Sequence, residues 1–145
     1  MTSDAPRDSN ERWERLDTRA SKRINGPSWA GLRGQFGEIH RALLSVSSSA
    51  RGELTTIYVK YMAEEVGGQP YAVVWLKKST ELVVGLALPE EYEAPKLGPP
   101  LPGYRYARLT EFLRITPQDA VPDDFPRWAS DAYKHAKGPI SADET

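Results

Sequence analysis

Two apolar runs separated by four polar residues occupy the centre of the chain: "YAVVWLKKSTELVVGLALPEE", Tyr71 to Glu91. Val73, Val74, Trp75 and Leu76 are apolar in consecutive positions, and so are Leu82, Val83 and Val84. Successive side chains of a strand point to opposite faces, so these runs predict two strands, over about 71–77 and 81–88, each covered on both sides. Lys77-Lys78-Ser79-Thr80 is then the tip of a hairpin, where a double-sided core ends and water begins. A lysine pair at such a tip also guards against edge-to-edge association. Whatever fold the chain adopts must find cover for both faces of this pair.

The covering elements are predicted from apolar spacing. Trp13, Leu16, Ala20 and Ile24 recur three or four apart and predict a helix over 10–24, with Asp8 and Glu11 as its cap and Glu11–Arg15 as an i,i+4 ion pair. Its arginines alternate with Asp8, Glu11, Glu14 and Asp17, the pattern of a solvated, salt-bridged face. Asn25-Gly26-Pro27 ends it, and Ser28 is the expected cap of a second helix over 28–45 with the stripe Trp29, Leu32, Phe36, Ile39 and Leu43. Gly31, Gly34 and Gly37 each weaken that helix by about 1 kcal/mol relative to Ala and leave room for close packing of another element. They form no phosphate loop, because no strand precedes them and no Gly-Lys-Ser/Thr follows.

Residues 47–53 read as a loop, and 54–62 as one strand with Ile57, Val59 and Tyr61 on one face and Tyr58 and Lys60 on the other. Gly67-Gly68 marks a turn. Residues 89–103 carry five prolines and form a long excursion, the kind of loop that is functional or mobile. A further strand is predicted over 104–115, then a turn capped by Asp119 after Thr116-Pro117. A third helix over 123–137 has Phe125, Trp128, Ala129, Ala132 and Tyr133 on one face and Lys134 and Lys137 near its end, as the helix dipole prefers. The order predicts an α+β domain: an antiparallel sheet of about four strands with two N-terminal helices and one C-terminal helix packed on it. Residues 1–8 read as a flexible leader, 9–138 as one domain and 139–145 as a tail.

Composition removes several classes of chemistry. Nineteen basic against 20 acidic residues give net −1, so no global field draws the chain to nucleic acid and such a role needs a local patch. Without cysteine there are no disulfides, thiolate metal sites or cysteine nucleophiles. No apolar run approaches the roughly 18 residues of a membrane span, and "MTSDAPRDSN" lacks the core of a signal peptide, so a cytoplasmic protein without a membrane partner is expected. His40 and His135, far apart and each on a predicted helix, are expected to be helix-surface residues, with no metal site. Glu64-Glu65, Glu90-Glu91-Glu93 and Asp123-Asp124 are the only hint of an iron-handling surface, and such short runs suit turns and helix starts equally. Ser45, Ser47, Ser48 and Ser49 have no strand-turn-helix elbow around them, so no catalytic residue and no cofactor is assigned.

Three segments carry a family likeness: "FGEIHRALLSVSSSARGELTTIYVKYMA", "YAVVWLKKSTELVVGLALPEEY" and "YRYARLTEFLRITPQDAVPDDFPRWASDAYKHA". In order and in soft motifs they resemble the bacterial family termed domain of unknown function 5655, over about residues 35–137. That family has no settled activity, and the resemblance transfers no site residue. More loosely, the hairpin-strand-helix layout looks like small domains of the double-wing DNA-binding type and of the frataxin-like iron-chaperone type.

The expected function is that of a small, non-catalytic binding or interaction module, regulatory or linked to nucleic acid. Lys60, Lys77, Lys78, Arg105, Arg108 and Arg114 all fall on strands or strand ends. Arg108 and Arg114 are separated by an even number, with Tyr104, Tyr106 and Phe112 in the same phase, which makes one face basic and aromatic, as single-strand platforms are. The alternative is a tyrosine-rich face packed under a helix with its arginines reaching out to water. If the helices take one sheet face, the other calls for a second subunit, a protein partner or a ligand. Trp75 and the Pro-rich loop 89–103 would then border a groove for a small molecule or an enzyme's substrate, with Gly85 allowing close approach.

Overall fold

The computed structural model describes residues 13–90, 92–104, 106 and 108–137. The expected leader and tail, the cap at Asp8 and Glu11, and Arg105 lie outside them. The fold is α+β: five strands, β1 (Arg51–Thr55), β2 (Tyr58–Met62), β3 (Ala72–Lys78), β4 (Glu81–Leu86) and β5 (Glu111–Ile115), form a meander of order β1-β2-β3-β4-β5, every neighbouring pair antiparallel. Three α-helices, α1 (Thr18–Ile24), α2 (Arg33–Leu44) and α3 (Phe125–Lys137), complete it among the described residues. None of them is long and apolar enough to cross a membrane.

The fifth strand arises because β1 takes 51–53 from the loop expected over 47–53 and 54–55 from the strand expected over 54–62, of which only Tyr58–Met62 forms β2. Thr55 pairs with Tyr58, so the chain reverses at Thr56-Ile57, with Thr56 at φ 55°. A β-branched residue rarely takes a left-handed conformation. This turn is held from outside, because the Leu76 amide donates to the Ile57 carbonyl at 2.7 Å. At the other end, the strand expected over 104–115 is a strand only from Glu111, since Arg108 at φ 75° breaks the extended run.

The helices differ from expectation mainly at their starts. α1 begins at Thr18, capped by Asp17, whose Oδ1 accepts from the Ala20 amide at 2.8 Å. The other oxygen of that carboxylate accepts from the Leu54 amide at 2.9 Å, so one side chain caps a helix and the edge of β1. Ser28 caps nothing: residues Pro27–Leu32 form a 3-10 turn starting after Gly26, and α2 continues from it. The predicted stripe survives this change, with Leu32, Phe36, Ile39 and Leu43 fully buried and Trp29 nearly so.

Arg15, Arg19 and Arg23 turn mainly to main-chain carbonyls; Arg15 also meets the exposed Glu14 at 3.5 Å, and the expected Glu11–Arg15 pair lies outside the described residues. Arg19 donates to the Leu54 carbonyl at 2.7 Å, and Arg23 reaches the Leu76 carbonyl with two nitrogens at 2.9 and 2.7 Å. Arg15 donates to three carbonyls of the 47–50 turn. A guanidinium is a rigid fork of donors, and it satisfies strand and turn carbonyls that would otherwise depend on water. The arm before α1 is thereby laid along β1, where Leu16 bridges Gly52 in parallel fashion.

One face of the sheet, with Val59, Tyr61, Val74, Leu76, Val84 and Leu86, packs with all three helices into the main core. The opposite face carries a smaller apolar cluster of its own. The hairpin is therefore covered on both sides, as its sequence requires.

Candidate functional site

The second face is covered by the chain itself. Trp75, Val73 and Val83 on the hairpin pack with Phe112 of β5 and with Tyr104 and Leu109, which arrive from the irregular segment after the prolines. Gly85 makes this possible: a Cβ there would lie 3.0 Å from both Leu109 and the Phe112 ring. Gly98 then pairs with Phe112 across the free edge of β5, with bonds of 2.9 and 2.8 Å. The groove expected beside the Pro-rich loop is thus filled, and the cover that a second subunit or ligand was expected to supply comes from Leu101, Tyr104, Tyr106 and Leu109 with Phe112.

Strand register sets the surface of this outer face. Thr55, Tyr58, Trp75, Val83 and Arg114 face one another in a single row across all five strands. The next row runs Glu53, Lys60, Val73, Gly85 and Phe112. Trp75 is the hub of the rings: Tyr58, Tyr104 and Phe112 lie 5.7, 5.6 and 5.8 Å from it between centroids, and Tyr106 meets Tyr58 edge-on at 5.6 Å. Trp75 itself is buried, whereas Tyr58 and Tyr106 stay half open.

The charged groups are organised around the hairpin tip. The Lys77 ammonium sits 5.0 Å over the Tyr104 ring, a cation–π contact. The Tyr104 hydroxyl donates to one oxygen of Glu81 at 3.2 Å, and the Arg114 guanidinium meets the other at 2.9 Å. Burial, then the Glu81 hydrogen bond and charge, raise the Tyr104 pKa and keep its phenol a neutral donor. Lys60 stands half-buried beside Val73, and Lys78 is exposed at the tip.

The structure brings together Trp75, Lys77, Tyr104, Tyr106 and Arg114 of the residues singled out from the sequence. Tyr104 and Tyr106 reach this face through a folded-back loop, not through strand phase. Arg108 is exposed and makes no ion pair or ring contact with the cluster among the described residues. Tyr58 and Glu81 were not singled out, although Tyr58 was legible on the polar face of its strand. Glu81 had no signal beyond following the "KKST" tip.

Elsewhere, His40 and Glu65 are tied into the structure. His40 is buried, not on the surface as expected, with both ring nitrogens in hydrogen bonds. Ser47, Ser49 and Tyr133 all donate to one oxygen of Glu65, at 2.8, 3.0 and 3.2 Å. The Ser47 bond leads in lowering the Glu65 pKa, which makes the carboxylate a weaker base and a staple between turn and helix. Among the described residues no three His, Cys, Asp or Glu side chains gather as a metal site. Comparison with known proteins finds no matching family model, no matching curated protein and no matching solved structure.

Proposed function

We propose that this protein is a small, non-catalytic binding module whose working surface is the outer sheet face, and that single-stranded nucleic acid is the ligand class that face fits. The carrying observation is Lys77 over Tyr104 at the end of an aromatic row that runs through Trp75 to the half-open Tyr58 and Tyr106. Half-open tyrosines offer ring surface to bases, and Lys60, Lys77 and Lys78 offer cations to the backbone between them, beside Arg114, which is paired with Glu81. With a formal charge of −1 overall, attraction comes from this patch alone, so binding is weak and salt-sensitive. Kinship to domain of unknown function 5655 is part of the same proposal and rests on the order of elements.

Fluorescence anisotropy with a labelled thymidine oligomer and a labelled duplex, at low and at moderate salt, tests it. The single strand is expected to bind at low salt and to be released as salt rises. Replacing Tyr106 by Ala should weaken it by about 1–3 kcal/mol, the usual worth of one stacked base. Lys77→Gln with Lys78→Gln should flatten the salt dependence, by about 0.7 in log–log slope for each phosphate that is no longer neutralised. Both lysines sit at an exposed tip, so that variant should keep the thermal midpoint of the parent. No affinity at low salt removes nucleic acid from the proposal.

A further inference from the structure

On the helical side of the sheet, away from the aromatic face, a cleft of about 490 Å³ opens between α2 and the arm that carries Trp13. This is within the size range of small-ligand pockets. Two guanidinium groups line it. Arg33 is held rigid by donating through Nε and Nη2 to the carbonyls of Ile24, Asn25 and Gly26 at 3.0, 3.0 and 2.9 Å, which leaves Nη1 with no protein acceptor among the described residues. Arg41 lies one side of the same cleft and makes no hydrogen bond or ion pair among the described residues. Glu14, the acidic residue on the lining, is turned toward Arg15 at 3.5 Å.

The wall and floor are equally specific. Trp13 is fixed by its indole N–H, which donates to the Asn25 side-chain oxygen at 2.9 Å, and by edge contact with Phe36 at 5.3 Å. Gly37 lies against that ring: a Cβ there would sit 3.4 Å from it and 3.3 Å from Arg41 Nη1. Gly34 has no such neighbour. A Cβ at this position would meet nothing within 4 Å, and its φ is not positive. A helical glycine costs about 1 kcal/mol relative to Ala. What a side chain at 34 would change is the cleft, whose floor it forms.

We propose that this cleft binds a small organic anion: a carboxylate or phosphate head seated between Arg33 Nη1 and Arg41, on an apolar or aromatic body that lies over Gly34 against Trp13 and Leu44. Two guanidiniums with no anionic partner among the described residues select the head, because charge-assisted bonds to planar donors are the strong ones. The pinned indole and the bare helix surface select the body. The site is independent of the sheet face and of its ligand.

Four probes separate the elements of this recognition: adenosine monophosphate, indole-3-acetate, inorganic phosphate and adenosine, each titrated while the Trp13 indole N–H resonance is followed by NMR. At least one of the two-part anions is expected to shift that resonance saturably, and the pair decides between phosphate and carboxylate heads. Phosphate alone and adenosine alone should bind about tenfold more weakly or worse, as should the better anion to Arg41→Gln. Gly34→Leu should abolish binding while holding or raising the thermal midpoint. Lys77→Gln with Lys78→Gln should leave it unchanged. No saturable shift with either two-part anion overturns the proposal, and so does equal affinity in Gly34→Leu or in Arg41→Gln.

Discussion

Replacing His40 by Ala should lower the unfolding free energy by about 4 kcal/mol, the largest effect expected of any single polar residue here. The ring is 2% exposed, stacked on Phe36 at 5.6 Å, and linked at both nitrogens. Nε2 lies 2.7 Å from the Glu14 carbonyl, an acceptor only, so Nε2 carries the hydrogen. Nδ1 is then the acceptor for the Tyr61 hydroxyl at 2.8 Å, and the imidazole is neutral. Truncation orphans a phenol that is 0% exposed and a carbonyl, at about 1–3 kcal/mol each, and leaves a cavity between Phe36 and Tyr61. Urea unfolding at neutral pH measures it, and a loss below about 1 kcal/mol would mean that the two bonds are replaced by water.

The same ring sets a pH dependence. Burial, the largest influence, lowers the His40 pKa, with Arg15 and Arg41 acting in the same direction and the bond and charge of Glu14 opposing. Between the folded pKa and about 6.5 the unfolded chain binds the proton that the folded chain refuses, so stability rises with pH across that window. It is complete above about pH 6.5 and is lost as pH falls toward the folded value, with a slope of at most about 1.4 kcal/mol per unit for one proton. In His40→Gln this slope should vanish, which separates it from the losses at Glu65 and Asp119, whose lowered pKa values act further into acid.

How much of this was legible in the sequence depends on what each signal measured. The stripe Trp29, Leu32, Phe36, Ile39 and Leu43 located a buried helical face correctly even though its first turn is 3-10, because both helix types keep i and i+3 on one side. The doubly apolar hairpin was read correctly because alternation leaves no other way to bury both phases. The reversal at Thr56-Ile57 was invisible: neither residue favours a turn, and a tertiary bond from Leu76 holds the bend. Trp13 and Leu16 mimic helical spacing because an arm laid over a core also turns an apolar side chain inward every few residues. Residue types for the outer face were legible in Trp75, Lys77, Tyr104, Tyr106 and Arg114. Their meeting was not, since it depends on how Leu101, Tyr104, Tyr106 and Leu109 are brought to this face, which obeys neither helical nor strand periodicity.

Arg15→Met is the second large loss, about 3 kcal/mol, and it acts through the arm that covers β1. Arg15 holds a left-handed conformation at φ 52°, a cost that its contacts offset. Its Nη1 lies 3.0, 2.9 and 2.9 Å from the carbonyls of Ser47, Ser48 and Ala50, so three acceptors share two hydrogens. Each charge-assisted bond of this kind contributes about 1.5–3 kcal/mol when dry, and a side chain 31% exposed recovers part of that from water. The Arg15 carbonyl in turn accepts from the Gly52 amide at 2.9 Å, and the Asp17 amide donates to the Gly52 carbonyl at 3.1 Å. Loss of the guanidinium should therefore release the whole arm, and hydrogen exchange should quicken at Gly52 and at Leu54, whose amide donates to Asp17. With the edge of β1 uncovered, the variant should also associate at high concentration, as open strand edges do. Arg15→Lys keeps the charge without the fork and should recover little of the loss. Protection at Gly52 that survives in Arg15→Met would show that the arm is held by Leu16 and Trp13 packing alone.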